Sequence, residues 1–124
     1  EAFQRAEALS RAGDVAGAER VLRQLLLEHP TQAEALNALG MALTQGRLNE
    51  AVDSFERALQ LKPRGPVLHR NLAETERRAG RPERAVEHAK RALELRPDHA
   101  DALAILGGAH FDLGDDAEAL KCYD

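Results

Sequence analysis

The chain of 124 residues has the length of one domain and enough residues to bury a core without disulfide or metal staples. Its single cysteine, Cys122, has no intrachain partner, no apolar run reaches the length of a membrane span, and the net charge of −4 argues against general affinity for nucleic acid. Neither nucleic acid nor a membrane is therefore an expected partner, and the expected compartment is the cytoplasm.

Apolar residues spaced three and four apart predict eight helices in chain order. The first, over 2–12, carries Ala6 and stops before Gly13; the second, over 15–28, carries Ala18 and Leu22 and stops before Pro30. The third, over 33–44, carries Leu36, Leu39, Gly40 and Leu43 ahead of Gly46. The fourth, over 48–61, carries Ala51, Val52, Phe55 and Ala58 ahead of Pro63. The fifth, over 66–78, holds Leu72 and Ala73 before Gly80, and the sixth, over 82–95, holds Ala85, Ala89 and Ala92 before Pro97. The seventh, over 100–112, holds Leu103, Leu106 and Gly107 before Gly114. The eighth begins near 116, carries Ala119 and Tyr123, and runs to Asp124 as an unfinished helix.

The punctuation repeats. Pro30, Pro63 and Pro97 lie 33 and 34 residues apart, and glycines divide each interval. Glycine after a first helix suits a left-handed C-cap, and proline marks where a second helix stops. Each unit is thus helix, tight turn, helix, with repeats at about 1–32, 33–65, 66–99 and 100–124 within one domain. Small residues recur at matching places, Ala6, Gly40, Ala73 and Gly107 on first helices and Ala18, Ala51, Ala85 and Ala119 on second helices. They allow the two axes of a pair to approach closely. One pair cannot cover its own apolar faces, so stacked pairs are needed for a continuous core.

This skeleton resembles the tetratricopeptide repeat. The second repeat carries its pattern as Leu36, Leu39, Gly40, Leu43, Gly46, Ala51, Phe55, Ala58 and Pro63. The third carries it as His69, Leu72, Ala73, Glu76, Gly80, Ala85, Ala89, Ala92 and Pro97, and the fourth as Leu103, Leu106, Gly107, His110, Gly114, Ala119 and Tyr123. The departures are a second repeat one residue short before Gly46, Arg5 and Leu25 in the first repeat, and Glu76 with Ala89 in the third. Glu76 is expected to reach solvent beside Arg77 and Arg81, and His69 and His110 to be packed, hydrogen-bonded histidines, not ligands. The resemblance implies an all-α, TPR-like α-solenoid: a right-handed superhelix of antiparallel helix pairs, about four repeats with the last incomplete.

It also implies a protein or peptide partner held on a concave face lined by first helices. The matching peptide-binding positions are Asn37, Met41 and Thr44, then Arg70, Glu74, Arg77 and Arg78, then Asp101 and Phe111. Met41 and Phe111 are candidate apolar anchors. Arg70, Arg77 and Arg78 are placed to share a helix flank and fork onto a carboxylate, with Glu74 four residues from Arg70 and Arg78 as their competing partner. Two binding modes known in the family find little support. Of the positions for a clamp on chaperone-tail carboxylates (Asn37, Met41, Asn71, Asp101 and Ile105) only Asn71 fits, and an asparagine ladder would fall on Ala38, Asn71 and Ile105. Charge is uneven: residues 64–97 carry nine basic and five acidic groups, whereas 98–124 carry one basic and seven acidic.

No catalytic, cofactor or metal motif stands out, and the five histidines have no ligand spacing. The function expected is therefore a non-enzymatic protein-interaction scaffold. The alternatives are a substrate-recruiting arm of a larger glycosyltransferase- or hydroxylase-like enzyme, or a self-assembling scaffold, a homo-oligomer through its terminal repeats. The non-methionine start and the unfinished last helix read as part of a longer protein, and 14 arginines against three lysines read as the codon habit of a GC-rich bacterial source.

Overall fold

A computed structural model describes residues 1–123, with the side chain of Tyr123 outside the described part. The described residues form eight helices and no strand: α1 (Ala2–Arg11), α2 (Val15–Glu28), α3 (Ala33–Leu43), α4 (Leu48–Leu61), α5 (Pro66–Arg78), α6 (Pro82–Leu95), α7 (Ala100–Asp112) and α8 (Asp116–Tyr123). The chain divides into two compact units, Glu1–Pro63 and Arg64–Asp124.

Turn chemistry sets these bounds. Gly13, Gly80 and Gly114 adopt φ of 87°, 82° and 79°. After each of them a backbone N–H reaches five residues back, from Asp14 to Leu9, Arg81 to Glu76 and Asp115 to His110, which closes the helix end in the Schellman manner. Gly46 differs from its expected left-handed form and lacks a positive φ. The missing residue is the reason: Arg47 N–H reaches only four residues back, to Leu43, so the turn closes with right-handed geometry. Second helices end one residue before a C-cap of extended φ, at His29, Lys62 and Arg96, each followed by proline, which disfavours helical backbone in the residue before it.

In the first unit α1 packs on α2 and α3, α2 on α3, and α3 on α4. The small positions are buried as expected: Ala6, Ala18, Gly40 and Ala51 are closed off, with Leu22, Leu39 and Phe55 around them. Gly40 has a specific reason to lack a side chain, because a Cβ there would stand 2.6 Å from Cε1 of Phe55. The ring lies on the α3 backbone and fills the space that two small residues leave.

In the second unit α5 packs on α6 and α7, α6 on α7, and α7 on α8. Ala73, Ala89, Ile105 and Leu106 make its core, with Val86, Leu93 and Cys122 packed against them. Gly107, Ala85, Ala92 and Ala119 are buried as well. Leu120 on α8 is 64% exposed. The side chain of Tyr123, a position of the repeat pattern, lies outside the described part.

Glu76 corrects the expectation of a solvent-reaching carboxylate, since it is 1% exposed. Arg81 Nε donates to its Oε1 at 2.5 Å, and Arg84 Nη1 lies 3.9 Å from Oε2. Ala89, standing where the repeat pattern places an aromatic ring, is fully buried beside the same core. The buried charge of Glu76 is matched from across the turn by Arg81.

Candidate functional site

The expected binding positions lie on α3 in the first unit and on α5 and α7 in the second. On α3, Met41 is 53% exposed, Asn37 and Thr44 are half-buried, and the Thr44 hydroxyl donates to the Met41 carbonyl at 2.6 Å. Met41 stands at the edge of a groove of about 350 Å³ between α1 and α3. Its walls are Ala6, Val15, Leu22, Ala38 and Ala42, and its rim is Glu7, Ser10, Arg11 and Gln45. The groove exists because three of the wall positions are alanine, so the two first helices meet without filling the space between them. Its mixture of apolar wall and polar rim suits an apolar side chain whose backbone stays hydrogen-bonded.

In the second unit Phe111 is 65% exposed and Arg78 and Asp101 are exposed, while Arg70, Glu74 and Arg77 are half-buried. Arg70 and Arg77, two helical turns apart, both reach from α5 to α7. Arg77 Nε donates to Asp112 Oδ2 at 2.8 Å. Its guanidinium lies over Gly108, where a Cβ would be 2.5 Å from Cζ. Arg70 Nε is buried 3.9 Å from Asp101 Oδ2, and Nη1 donates to Asn71 Oδ1 at 3.0 Å. Sequence spacing had offered Glu74 as the competing acid. Packing of α5 on α7 brings the aspartates Asp101 and Asp112 against Arg70 and Arg77.

Gly108 is likewise covered, a slot for Arg77 and not an open groove position. Asn71, the one position fitting a carboxylate clamp, is buried and its amide oxygen is engaged by Arg70.

The first unit also has an ionic second-helix face. Glu19 lies between Arg23 and Arg47, Arg23 also reaches Glu50 at 3.4 Å, and Arg23 followed by Arg47 holds the Glu19 carboxyl below its usual range. These exposed pairs are screened by water and contribute little to stability.

Sequence reasoning missed one contact altogether. His69 of α5 and His88 of α6 bring their Nδ1 atoms within 3.4 Å. Burial, and then the neighbouring His69, push the His88 pKa below its usual 6.5. The folded state therefore favours the neutral ring, while the unfolded chain takes up a proton near the ordinary value. This contribution to stability is complete above about pH 6.5 and is lost as pH falls toward the lowered folded value. The urea midpoint is expected to fall between pH 7.5 and 5.5, and to fall less in His88→Gln. An equal fall in both would assign the effect to other groups.

Cys122 is half-buried, and burial pushes its thiol pKa up, away from the thiolate a nucleophile needs. Among the described residues no three histidine, cysteine or acidic side chains gather as a metal set, and no helix is long and apolar enough to cross a membrane.

Paired helices, buried small residues at fixed register and open first-helix surfaces define a helical-repeat protein. The family model for the tetratricopeptide repeat matches residues 3–66 and 70–124, and the chain belongs to that family. Over 83 residues it is 36% identical to the Hsp70-Hsp90 organizing protein of Triticum aestivum, covering 67% of this chain and 14% of that one. The chain spans between 14% and 40% of the length of three curated relatives it matches. Its fold is similar to that of MamA, with a TM-score of 0.90 and 24% identity over 95% of this chain and 70% of that one. It is also similar to the O-GlcNAc transferase of Thermobaculum terrenum, with a TM-score of 0.82 and 33% identity over 88% of this chain and 21% of that one.

Proposed function

We propose that this chain is a non-catalytic interaction module that binds a protein partner through an extended peptide on its first-helix faces. The observation that carries the reading is the α1–α3 groove, where alanine walls leave about 350 Å³ open beside half-exposed Met41. An apolar side chain of the partner enters it, and Glu7, Ser10, Arg11 and Gln45 meet the polar backbone that flanks that side chain. In the second unit, taken by itself, Phe111 is an exposed apolar side chain on α7. A family that includes an Hsp70-Hsp90 organizing protein supports a protein partner. A chaperone tail held by a carboxylate clamp is disfavoured, since Asn71 is buried and already engaged.

The arginines of α5 are a weaker anchor than sequence alone suggests. Arg70 and Arg77 are neutralised by Asp101 and Asp112, so a partner carboxylate must displace an ion pair that is already formed. The partner is accordingly expected to depend more on its apolar anchor than on acidity, and binding to weaken only modestly as salt rises.

Ala38→Leu tests the groove, because Ala38 is half-buried on its wall and a larger side chain there closes the opening without entering the α3–α4 core. Peptides selected from a display library against the chain are expected to lose about tenfold or more in affinity, in line with the loss of a buried anchor contact. Retained affinity with an unchanged circular dichroism spectrum would remove the groove from the binding face.

A second reading, a recruiting arm of a larger enzyme, is favoured by the 33% identity to the O-GlcNAc transferase. It shares the same binding face, and the full-length gene product separates the two.

A further inference from the structure

The third repeat carries polar groups where the other repeats are mostly apolar. His69 stands in register with Leu36 and Leu103, and His88 with Ser54 and Cys122. In the second repeat Leu36 and Ser54 are both buried, so the fold builds this position without an imidazole. Two imidazoles at one helix-pair interface therefore go beyond what packing requires, and departures of that kind concentrate at functional positions.

Their geometry is specific. His69 is 7% exposed and His88 half-buried; the ring centroids are 5.7 Å apart, the planes are inclined by 33°, and the two Nδ1 atoms face each other at 3.4 Å. At that separation one ring can donate a long hydrogen bond to the other when no ion is bound. The same separation matches the bite of one tetrahedral ion, since two nitrogens bonded at about 2.0–2.1 Å to such an ion stand about 3.3–3.4 Å apart. We propose that His69 and His88 form a two-histidine site for a late first-row divalent cation of the Zn²⁺, Ni²⁺ and Cu²⁺ class, bound through both Nδ1 atoms.

The charges around the pair permit a dication. Glu76 of α5 and Glu87 and Arg84 of α6 act on His88, and Arg81 is paired with Glu76, so two carboxylates balance two guanidiniums. On α7, the other helix packed on α6, Asp101 and Asp112 are turned to Arg70 and Arg77, and His110 faces Asp115 at 4.0 Å. Imidazole nitrogen suits zinc, copper and nickel over calcium or magnesium. No third protein ligand joins the pair among the described residues, so water completes the coordination on the half-buried side of His88. Ion and proton compete for the same nitrogens, which makes binding fall as the pH is lowered.

The test is calorimetric titration of the chain with ZnCl₂ at pH 7.5 in a non-coordinating buffer, with imidazole ¹⁵N spectra recorded alongside. One ion per chain is expected, with both Nδ1 resonances shifting. Affinity should fall about tenfold or more in His88→Ala and in His69→Gln, and stay unchanged in His110→Ala. Lowering the pH to 5.5 should release the ion. His88 is less buried than His69, so His88→Ala is informative even where His69→Gln fails to fold. No binding at 1 mM Zn²⁺, wild-type affinity in His88→Ala, or shifts confined to other histidines would each overturn the proposal.

Discussion

Phe55→Ala is expected to destabilise the first unit by about 3–5 kcal/mol, the range for removing a buried aromatic ring. The ring is 1% exposed and rests on the backbone of α3 at Gly40, where a Cβ would meet it at 2.6 Å. The loss is large because small residues on both helices leave no neighbour able to swing into the cavity. The converse change, Gly40→Ala, pushes against the ring and is expected to cost about 1–3 kcal/mol by overpacking. The two positions should be coupled, so that Gly40→Ala costs less in a Phe55→Leu background than in the parent. Urea denaturation of the four chains measures it, and strictly additive costs would show that Gly40 and Phe55 do not form one contact.

The second large effect falls on the buried ion pair of the third repeat. Arg81→Ala leaves the carboxylate of Glu76 1% exposed with only Arg84, 3.9 Å away and mostly in solvent, to balance it. Breaking a buried pair from one side costs about 3–5 kcal/mol, because the remaining charge is stranded. The opposite change is milder. Glu76→Leu restores the apolar residue that the repeat pattern places there, and Arg81, one third exposed, can turn to water. Glu76→Leu is therefore expected to be far less costly than Arg81→Ala, and to recover most of the loss when added to it. Equal costs for the two single changes would mean that Glu76 is hydrated in solution.

Much of this fold is readable from punctuation. The helix bounds follow from the glycine and proline spacing to within one residue at most ends. The buried register follows from small residues recurring at matching positions on first and second helices. What spacing does not carry is any contact whose partner lies on another helix. Glu76 looks exposed beside Arg77 and Arg81 on a helical wheel, yet the turn at Gly80 folds Arg81 back over it. Arg70 and Arg77 look open to a ligand until α7 supplies Asp101 and Asp112. Gly46 shares its place with three left-handed glycines, but its repeat is one residue short before the turn and closes by a different hydrogen bond. The His69–His88 contact was within reach. In an antiparallel pair, facing residues have numbers that add to nearly the same total, and Ala73 with Ala85 already fixed that total for the third repeat.

The binding positions divide along the same line. Met41 and Phe111 were identifiable because an apolar residue at a polar register position is visible in one helix. The α1–α3 groove needed the structure, since it arises from what alanines on separate helices fail to fill. The measurement that tests the central claim most directly is amide chemical-shift mapping of the chain with a selected peptide ligand. The account predicts shifts gathered on first helices, led by Glu7, Arg11, Ala38, Met41 and Gln45, with smaller changes around Phe111. Shifts gathered instead on the second helices, around Arg23, Glu50 or Arg57, would contradict it.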